Sequence, residues 1–227
     1  MTGTPGALAV LAAHGTATVS DALDLAGVDG QFWGPRRLSG SGVVAGPVFT
    51  VAFEPVPAGA TGAAADFLDD VPPGCVVLLA NNGPICTVWG DILAEAAHAK
   101  GIAGTVIDGF CRDIDRIREI GYCLWARDAF MRSGKNRVRM AAVQQPVEVG
   151  SGAERRVVRP GDIVCADGSG VTVVPAELLA ETAERVERIA AMEERVRADV
   201  LAGTPLREAR RRHGYNNVAR AEKRAGA

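Results

Sequence analysis

Strand and helix patterns alternate along residues 75–126, and this alternation restricts the fold more than any other feature of the chain. Three short apolar runs predict buried strands, at 75–80, 103–107 and 122–126. The two stretches between them, 91–100 and 113–120, place apolar residues at helical spacing, and a glycine follows each one. Strands that alternate with helices in this way build parallel β-α-β units. The sequence therefore predicts an α/β middle of the chain.

The residues on both sides of this middle predict further strands and covering helices. Two short helical patterns lie at 6–14 and 19–26, and Ser20 is a candidate N-cap for the second one. Val, Phe and Thr dominate 41–53, a composition typical of a strand. Four more β-type runs, separated by Gly, Pro and Asp turns, lie at 146–149, 156–158, 163–166 and 171–174. The fold class is therefore α/β, with a β-rich core that helices cover.

The C-terminal part predicts one long helix. A helical pattern spans about 176–201, and Pro205 opens a further helix. A chain of 227 residues is large enough to bury a core without disulfides or metals. We predict one domain over residues 1–227, in which about 176–227 form a C-terminal helical extension.

The composition is that of an ordinary globular protein, and it argues against several classes of function. Hydrophobic residues make up 48% of the chain and charged residues 23%, and the net charge of −2 gives no sign of nucleic-acid binding. The five cysteines form no C-x-x-C pair, which indicates free thiols in a reducing compartment. The sequence shows no apolar run near the roughly 18 residues of a membrane span and no signal-peptide pattern. We expect a cytoplasmic protein with neither a nucleic-acid nor a membrane partner.

Charged residues stand at the starts of two successive helices in the predicted α/β middle. Gly90 and Asp91 precede the first helical pattern, whereas Arg112 and Asp113 follow a strand and begin the second. The ends of neighbouring parallel strands meet at one edge of a sheet, where α/β folds tend to bind ligands. Two carboxylates beside an arginine suit a divalent cation together with a substrate that carries a carboxylate.

Each of these residues also has a purely structural interpretation. Asp91 is acceptable as an N-cap or as a first-turn acid that complements the helix dipole. In the functional interpretation, the free N–H groups of Ile92 and Leu93 at this helix start hold a substrate carboxylate. Asp113 is another candidate N-cap, and Arg112 a surface ion pair of little energetic weight. The three histidines have no metal-ligand spacing, and the sequence has no serine-nucleophile, P-loop or dinucleotide motif. From the residues alone both interpretations stay open, although the turn before Arg112 favours a ligand site.

Gly90-Asp91, twenty further residues and then Arg112-Asp113 resemble the G-D-x20-R-D signature of the class II pyruvate aldolases. This family comprises the 4-hydroxy-4-methyl-2-oxoglutarate / 4-carboxy-4-hydroxy-2-oxoadipate aldolases and their relative RraA, the regulator of ribonuclease E. Further pieces of the family pattern stand in family order over about residues 15–205, at 18–24, 103–109, 159–162 and 171–175. The combination of pieces is specific, whereas each piece alone is weak.

The resemblance implies an RraA-like swivelling ββα fold that assembles as a homotrimer or homohexamer. It also implies Mg²⁺ or Mn²⁺ as the cofactor, with Asp113 as a direct metal ligand and Asp91 as a ligand through water. Arg112 would contact the oxygens of pyruvate. A glutamate from the long C-terminal helix of a neighbouring subunit completes the family site through water, and it matches either Glu193 or Glu194 here. The resemblance therefore predicts a site shared between subunits.

The function implied by the resemblance is that of a divalent-metal-dependent lyase. It would cleave a 4-hydroxy-2-oxo acid to pyruvate in a retro-aldol reaction through a metal-stabilised enolate, and it would also decarboxylate oxaloacetate. Arg112 and Asp91 would be catalytic, and Gly90, Ile92, Leu93 and Arg112 would bind the substrate. The alternatives are a non-catalytic RraA-like regulator that binds a ribonuclease complex, and a family member recruited to a specialised biosynthetic step. Asp91 favours an enzyme, because the regulator branch lacks this aspartate.

Two segments depart from the family pattern. Residues 81–88 have an unusual sequence and should border the pocket, and residues 128–134 replace the Gly- and Pro-containing run that usually follows the strand. These departures allow a substrate choice that differs from that of the named aldolases.

Overall fold

The computed structural model describes residues 3–57, 66–81 and 83–215, which form a mixed α/β fold. The described helices are α1 Thr4–Leu25, α2 Asp91–Ala99, α3 Ile114–Ile120, α4 Leu179–Leu201 and α5 Leu206–Arg212. The described strands are β1 Gln31–Phe32, β2 Arg36–Ser39, β3 Val44–Pro55, β4 Val76–Asn81, β5 Thr87–Trp89, β6 Gly104–Cys111, β7 Leu124–Ala129, β8 Val138–Val143, β9 Val147–Val149, β10 Arg156–Val158, β11 Ile163–Ala166 and β12 Val171–Val174. Short 3-10 turns lie at Asp66–Asp70, Gly152–Glu154 and Ala176–Leu178.

Ten of these strands form one mixed sheet, and β3 joins its parallel and antiparallel parts. The order along the main path is β1-β12-β11-β3-β4-β6-β7-β2, with β5 attached to β6 and β8 attached to β3. The first residues of β3 pair antiparallel with β11 and its last residues with β8, whereas β4 pairs with it in parallel. In the described part of the chain, β9 and β10 form a separate antiparallel pair. The predicted α/β class is confirmed.

The predicted β-α-β-α-β middle is also confirmed. β4 pairs with β6 and β6 with β7, all in parallel, and α2 and α3 provide the connections. Every residue of β4 is buried, as expected for a central parallel strand that is covered on both faces. Ala94 and Ala97 of α2 and Ile117 of α3 belong to one apolar cluster with residues of β4 and β6. This packing places the start of α2 and the end of β6 side by side.

A second layer, made of α1 and α4, covers the antiparallel part of the sheet. Leu11 and Leu23 of α1 and Val186 and Ile189 of α4 pack in one cluster with residues of β11 and β12. The predicted long C-terminal helix is confirmed as α4, and α5 begins directly after Pro205 as expected. Residues 216–227 of the predicted helical extension lie outside the described residues. Among the described helices, none combines the length and apolarity that a membrane crossing needs.

The helix α1 is broken at Gly15, and a distant aspartate caps its second half. Gly15 has a positive φ of 77°, and a Cβ at this position would lie 2.8 Å from Asp167 Oδ2. The same carboxylate accepts hydrogen bonds from Thr16, from its N–H at 2.9 Å and from its hydroxyl at 2.7 Å. The prediction that Ser20 is the N-cap is therefore wrong, because Ser20 lies inside the helix. The cap comes from the turn between β11 and β12, which sequence spacing does not reveal.

The hydrogen bonds to Asp167 make the stability of the fold depend on pH. Burial of the carboxylate opposes its ionisation, but donors from Thr16, Ser169 and Gly170 outweigh burial and lower the pKa of Asp167. A carboxyl with a lowered pKa in the folded state stabilises the fold above its ordinary pKa, and this contribution is lost as the pH falls through the folded value.

We therefore expect Asp167→Ala to lower the free energy of unfolding at pH 7 by on the order of 1 kcal/mol, as for the loss of a helix cap. The gap between this variant and the unchanged protein should begin to close near pH 4 and continue to close in stronger acid. Urea unfolding at a series of pH values measures both effects. A gap that stays constant from pH 7 to pH 3 would contradict the assigned role of the carboxylate.

Candidate functional site

The end of β6 and the start of α2 approach each other closely at Gly90. The N–H of Arg112 donates to the carbonyl of Trp89 at 3.1 Å, which ties the two segments together. A Cβ at Gly90 would lie 2.7 Å from Asp113 Oδ2, closer than real Cβ atoms come to a neighbouring heavy atom. A side chain at position 90 would therefore displace the Asp113 carboxylate, which occupies the space above the Gly90 backbone. The structure brings Gly90, Asp91, Arg112 and Asp113 together, as the sequence predicted.

Asp113 does not act as a side-chain cap of α3. It precedes α3 in the left-handed region, with φ 59° and ψ 35°, and its carboxylate makes no capping hydrogen bond to that helix. Asp tolerates this conformation better than most residues, but it still carries a conformational cost. The carboxylate lies instead against the start of α2, where its Oδ2 is 3.4 Å from the N–H of Asp91. The structural interpretation of Asp113 as a simple N-cap therefore fails, and a ligand role gains weight.

Asp91 occupies the first turn of α2, and its side chain decides which N–H groups of that turn stay free for a ligand. Its Oδ1 accepts a hydrogen bond from the N–H of Ile92 at 2.8 Å. Gly90, at the N-cap position of α2, has no side-chain cap. The N–H of Ile92 is therefore occupied here, whereas that of Leu93 has no acceptor among the described residues and remains the better candidate for an anionic ligand.

Arg112 presents its terminal guanidinium nitrogens without a competing carboxylate. Its Nε lies 3.2 Å from Asp113 Oδ2, and the side chain is 42% exposed. Within the described residues, neither Nη group contacts an acceptor. A guanidinium that is held at one end and free at the other can bind a planar carboxylate or enolate in bidentate fashion.

Asp91 and Arg112 line a cavity of about 370 Å³, whereas the Asp113 carboxylate lies over Gly90 and is not part of the cavity wall. Its walls include the predicted residues Gly90, Asp91, Ile92, Leu93 and Arg112, together with Thr87, Val88, Trp89, Ser133, Gly134, Lys135 and Val138. Part of the unusual segment 81–88 and the end of the segment 128–134 thus border the cavity, whereas Asn82 lies outside the described residues. Sequence reasoning missed Lys135, whose only signal was its place directly after the Ser133-Gly134 turn.

Glu193 and Glu194 lie elsewhere in the chain. Both are on α4, and they border a different depression, beside His14 of α1. Glu194 also pairs with Arg197 one turn along the same helix. Within the described residues, one copy of the chain does not bring either glutamate to Asp91 and Asp113. A contribution from a neighbouring subunit stays a prediction.

The donor set of one chain suits a cation that keeps most of its water. No group of three or more His, Cys, Asp or Glu side chains in the described ranges is arranged to enclose a metal ion. The Asp113 carboxylate lies over Gly90 and 3.4 Å from the N–H of Asp91, whose own carboxylate stands in the first turn of the same helix. Mg²⁺ is bound in proteins by one or two carboxylates with several retained waters. The residues present therefore fit a hydrated divalent cation, and they leave room for a further ligand from outside the chain.

Comparison with known proteins identifies the family of the chain. The sequence model of the RraA-like family, described as Aldolase/RraA, matches residues 16–173, so the chain belongs to this family. A protein of Halalkalibacterium halodurans named "Putative 4-hydroxy-4-methyl-2-oxoglutarate aldolase" is 30% identical over 162 residues, which cover 70% of this chain and 72% of that protein. Protein DlpA of Legionella pneumophila is 36% identical over 214 residues, 93% of this chain. The chain spans only 34% of the length of DlpA.

Solved structures confirm the predicted RraA-like fold. An uncharacterised protein from Pseudomonas syringae pv. tomato has a TM-score of 0.83 and 38% identity, over 91% of this chain and 98% of that one. RraAS2 of Streptomyces coelicolor, described as an unusual member of the RNase ES inhibitor RraA protein family, has a TM-score of 0.73 and 29% identity, over 83% of this chain and 93% of that one. The family thus includes proteins named as aldolases and proteins named as ribonuclease inhibitors.

Proposed function

We propose that the chain is a divalent-metal-dependent lyase that cleaves a 4-hydroxy-2-oxo acid to pyruvate, and that the same site decarboxylates oxaloacetate. One observation carries the proposal: Arg112 is oriented by Asp113 through Nε, while its two Nη groups point to no acceptor among the described residues and the side chain lines the cavity. A regulatory surface has no need of such a guanidinium beside two carboxylates. The family relatives named as aldolases support the same conclusion.

The chemistry follows from where negative charge develops. In the retro-aldol reaction the C4 hydroxyl loses its proton, its oxygen forms a carbonyl with C4, and the C3–C4 bond breaks, so that the C4 fragment leaves as an aldehyde or ketone. The electron pair of the broken bond moves onto the 2-oxo oxygen to give the enolate of pyruvate. Arg112 donates hydrogen bonds to the oxygens that gain this charge, which is the effect of an oxyanion hole. Protonation of the enolate at C3 then yields pyruvate. Oxaloacetate that loses its C4 carboxylate as CO₂ passes through the same enolate, so one site serves both reactions.

The two carboxylates have separate roles in this proposal. Asp113 would hold Mg²⁺ or Mn²⁺ directly, and Asp91 would hold it through water. A divalent cation at this place supplies Lewis-acid polarisation of the 2-oxo acid when it is bound. Asp91 would also move a proton through water, from the C4 hydroxyl or to C3 of the enolate. Glu193 or Glu194 from a second subunit of a homotrimer or homohexamer would complete the set.

Release of pyruvate tests the proposal directly. We expect purified protein with Mg²⁺ to form pyruvate from oxaloacetate and from 4-hydroxy-2-oxoglutarate, and excess EDTA to abolish this activity until Mg²⁺ or Mn²⁺ is restored. The measurement is coupled oxidation of NADH by lactate dehydrogenase, with protein-free oxaloacetate as the blank. Activity that survives EDTA would refute the metal-dependent reaction. Absence of turnover on every 2-oxo acid, with Mg²⁺ bound, would favour an RraA-like regulator instead.

A further inference from the structure

A loop that the family signature does not include, residues 130–138, forms one wall of the cavity. β5 holds this loop through main-chain contacts: the N–H of Thr87 donates to the carbonyl of Arg132 at 2.8 Å, and the N–H of Gly134 donates to the carbonyl of Thr87 at 2.9 Å. Thr87 and Ser133 form a parallel bridge. The loop is thus attached to β5 as an extra short strand, which fixes its position relative to the site.

Close packing against Thr87 and hydrogen bonds within the loop also hold its conformation. A Cβ at Gly134 would lie 2.6 Å from the carbonyl oxygen of Thr87, so only glycine permits this approach. The Arg137 guanidinium donates to the carbonyl of Ser133 at 3.1 Å and to that of Lys135 at 3.4 Å. Arg137 is therefore used to hold the loop. Lys135, by contrast, lines the cavity and makes no ion pair with any carboxylate in the described part of the chain.

Arg112 and Lys135 line the cavity from two different segments, which β5 separates. β5 pairs with β6 on one edge, and Thr87 directs both its N–H and its carbonyl to the loop on the other edge. Two strand spacings put the backbones of β6 and the loop roughly 10 Å apart. Three apolar residues, Val88, Leu93 and Val138, line the cavity as well. The cavity therefore offers two separated cations and apolar surface.

We propose that Lys135 is a specificity-determining residue, which binds a carboxylate at the end of the substrate remote from its 2-oxo acid group. This inference rests on the proposed function, because Arg112 must hold the 2-oxo acid end for Lys135 to meet the other end. A lysine ammonium is a flexible point charge, so it accepts a carboxylate without a fixed bidentate geometry. The site would then prefer dicarboxylic 2-oxo acids to 2-oxo acids with a methyl end.

Two ligands that do not react allow this binding preference to be measured without turnover. 2-Oxoglutarate and 2-oxopentanoate have the same chain length and differ in the distal group, a carboxylate or a methyl. Isothermal titration of the full chain with Mg²⁺ present should give about tenfold tighter binding of 2-oxoglutarate, as expected for one charge-assisted hydrogen bond. Lys135→Met keeps the length of the side chain and removes the charge, so it should bring the ratio of the two dissociation constants near one.

Arg132→Met is the matched control. Arg132 stands on the same loop and carries the same charge, but its side chain does not line the cavity. This variant should keep the preference for 2-oxoglutarate. If the unchanged protein binds both ligands equally, or if Lys135→Met keeps the preference, the role of Lys135 is refuted while the 2-oxo acid site stands. If neither ligand binds the unchanged protein, the proposed function fails as well.

Discussion

Replacement of Arg112 by lysine is expected to lower the rate of pyruvate formation by about 10²–10³-fold, the loss found when one oxyanion donor is removed. Lysine keeps the positive charge but has no planar fork, so it cannot bind two oxygens side by side. It also loses the contact between Nε and Asp113 Oδ2, which lies at 3.2 Å and orients the guanidinium. The effect should fall mainly on kcat, because the charge on the substrate oxygens develops in the transition state.

Arg116→Lys is the control for this prediction. Arg116 lies four positions further along, and its guanidinium pairs with Glu95 of α2 and Glu119 of α3, away from the cavity. Its replacement should leave kcat within about twofold, since exposed ion pairs contribute little energy. The thermal unfolding midpoint of both variants should be unchanged, because both side chains are partly exposed. Full activity of Arg112→Lys would remove Arg112 from the reaction.

The parts of the fold that the sequence predicted are those with a strong local pattern. The strands β4, β6 and β7 and the helices α2 and α3 follow from apolar periodicity and the glycines that end each helix, so their bounds were predicted to within four residues. The strands β1, β2, β5 and β8 were not predicted. β1 and β5 are only two and three residues long, and β2 contains Arg36, Arg37 and Ser39. Such strands are fixed by their partners in the sheet rather than by their own sequence.

The candidate site shows the same division between local and distant effects. The sequence could place four site residues together because they stand at the ends of one contiguous β-α-β unit: Gly90, Asp91, Arg112 and Asp113. The left-handed conformation of Asp113 and the position of the loop 130–138 were not predictable, because both depend on contacts between separate segments. The contribution of Glu193 or Glu194 depends on a second subunit, which no pattern within one chain describes. Local sequence patterns therefore located the site, whereas tertiary contacts determine which residues line its cavity.

The ion pair between a buried carboxylate of β6 and an arginine of β7 gives the largest expected effect on stability. Arg127 of β7 donates through Nε to Asp108 of β6, and the N–H of Gly150 donates to the other carboxylate oxygen at 2.6 Å. The Asp108 side chain is 1% exposed and that of Arg127 is 31% exposed. The carboxylate thus joins two neighbouring parallel strands to the end of β9. It is almost completely removed from water, so these two donors replace the hydrogen bonds that water would make to it.

We expect Arg127→Met to lower the free energy of unfolding by about 3–5 kcal/mol, because it leaves a buried carboxylate with one hydrogen bond and no cation. Arg139→Met is the matched control: Arg139 pairs with Glu54 at 2.6 Å, but both side chains are nearly half exposed, at 45% and 44%. Its loss should cost less than about 1 kcal/mol. Urea unfolding at one fixed protein concentration measures both variants.

The double variant Arg127→Met with Asp108→Asn separates the charge from the packing. Asparagine is neutral and still accepts a hydrogen bond from the N–H of Gly150, so the buried charge is gone while the shape is kept. The double variant should therefore recover at least about 1 kcal/mol relative to Arg127→Met alone, a coupling typical of residues in direct contact. Equal losses in Arg127→Met and Arg139→Met would show that burial adds nothing to this pair. A double variant that is less stable than Arg127→Met would show that the carboxylate stabilises the fold even without its cation.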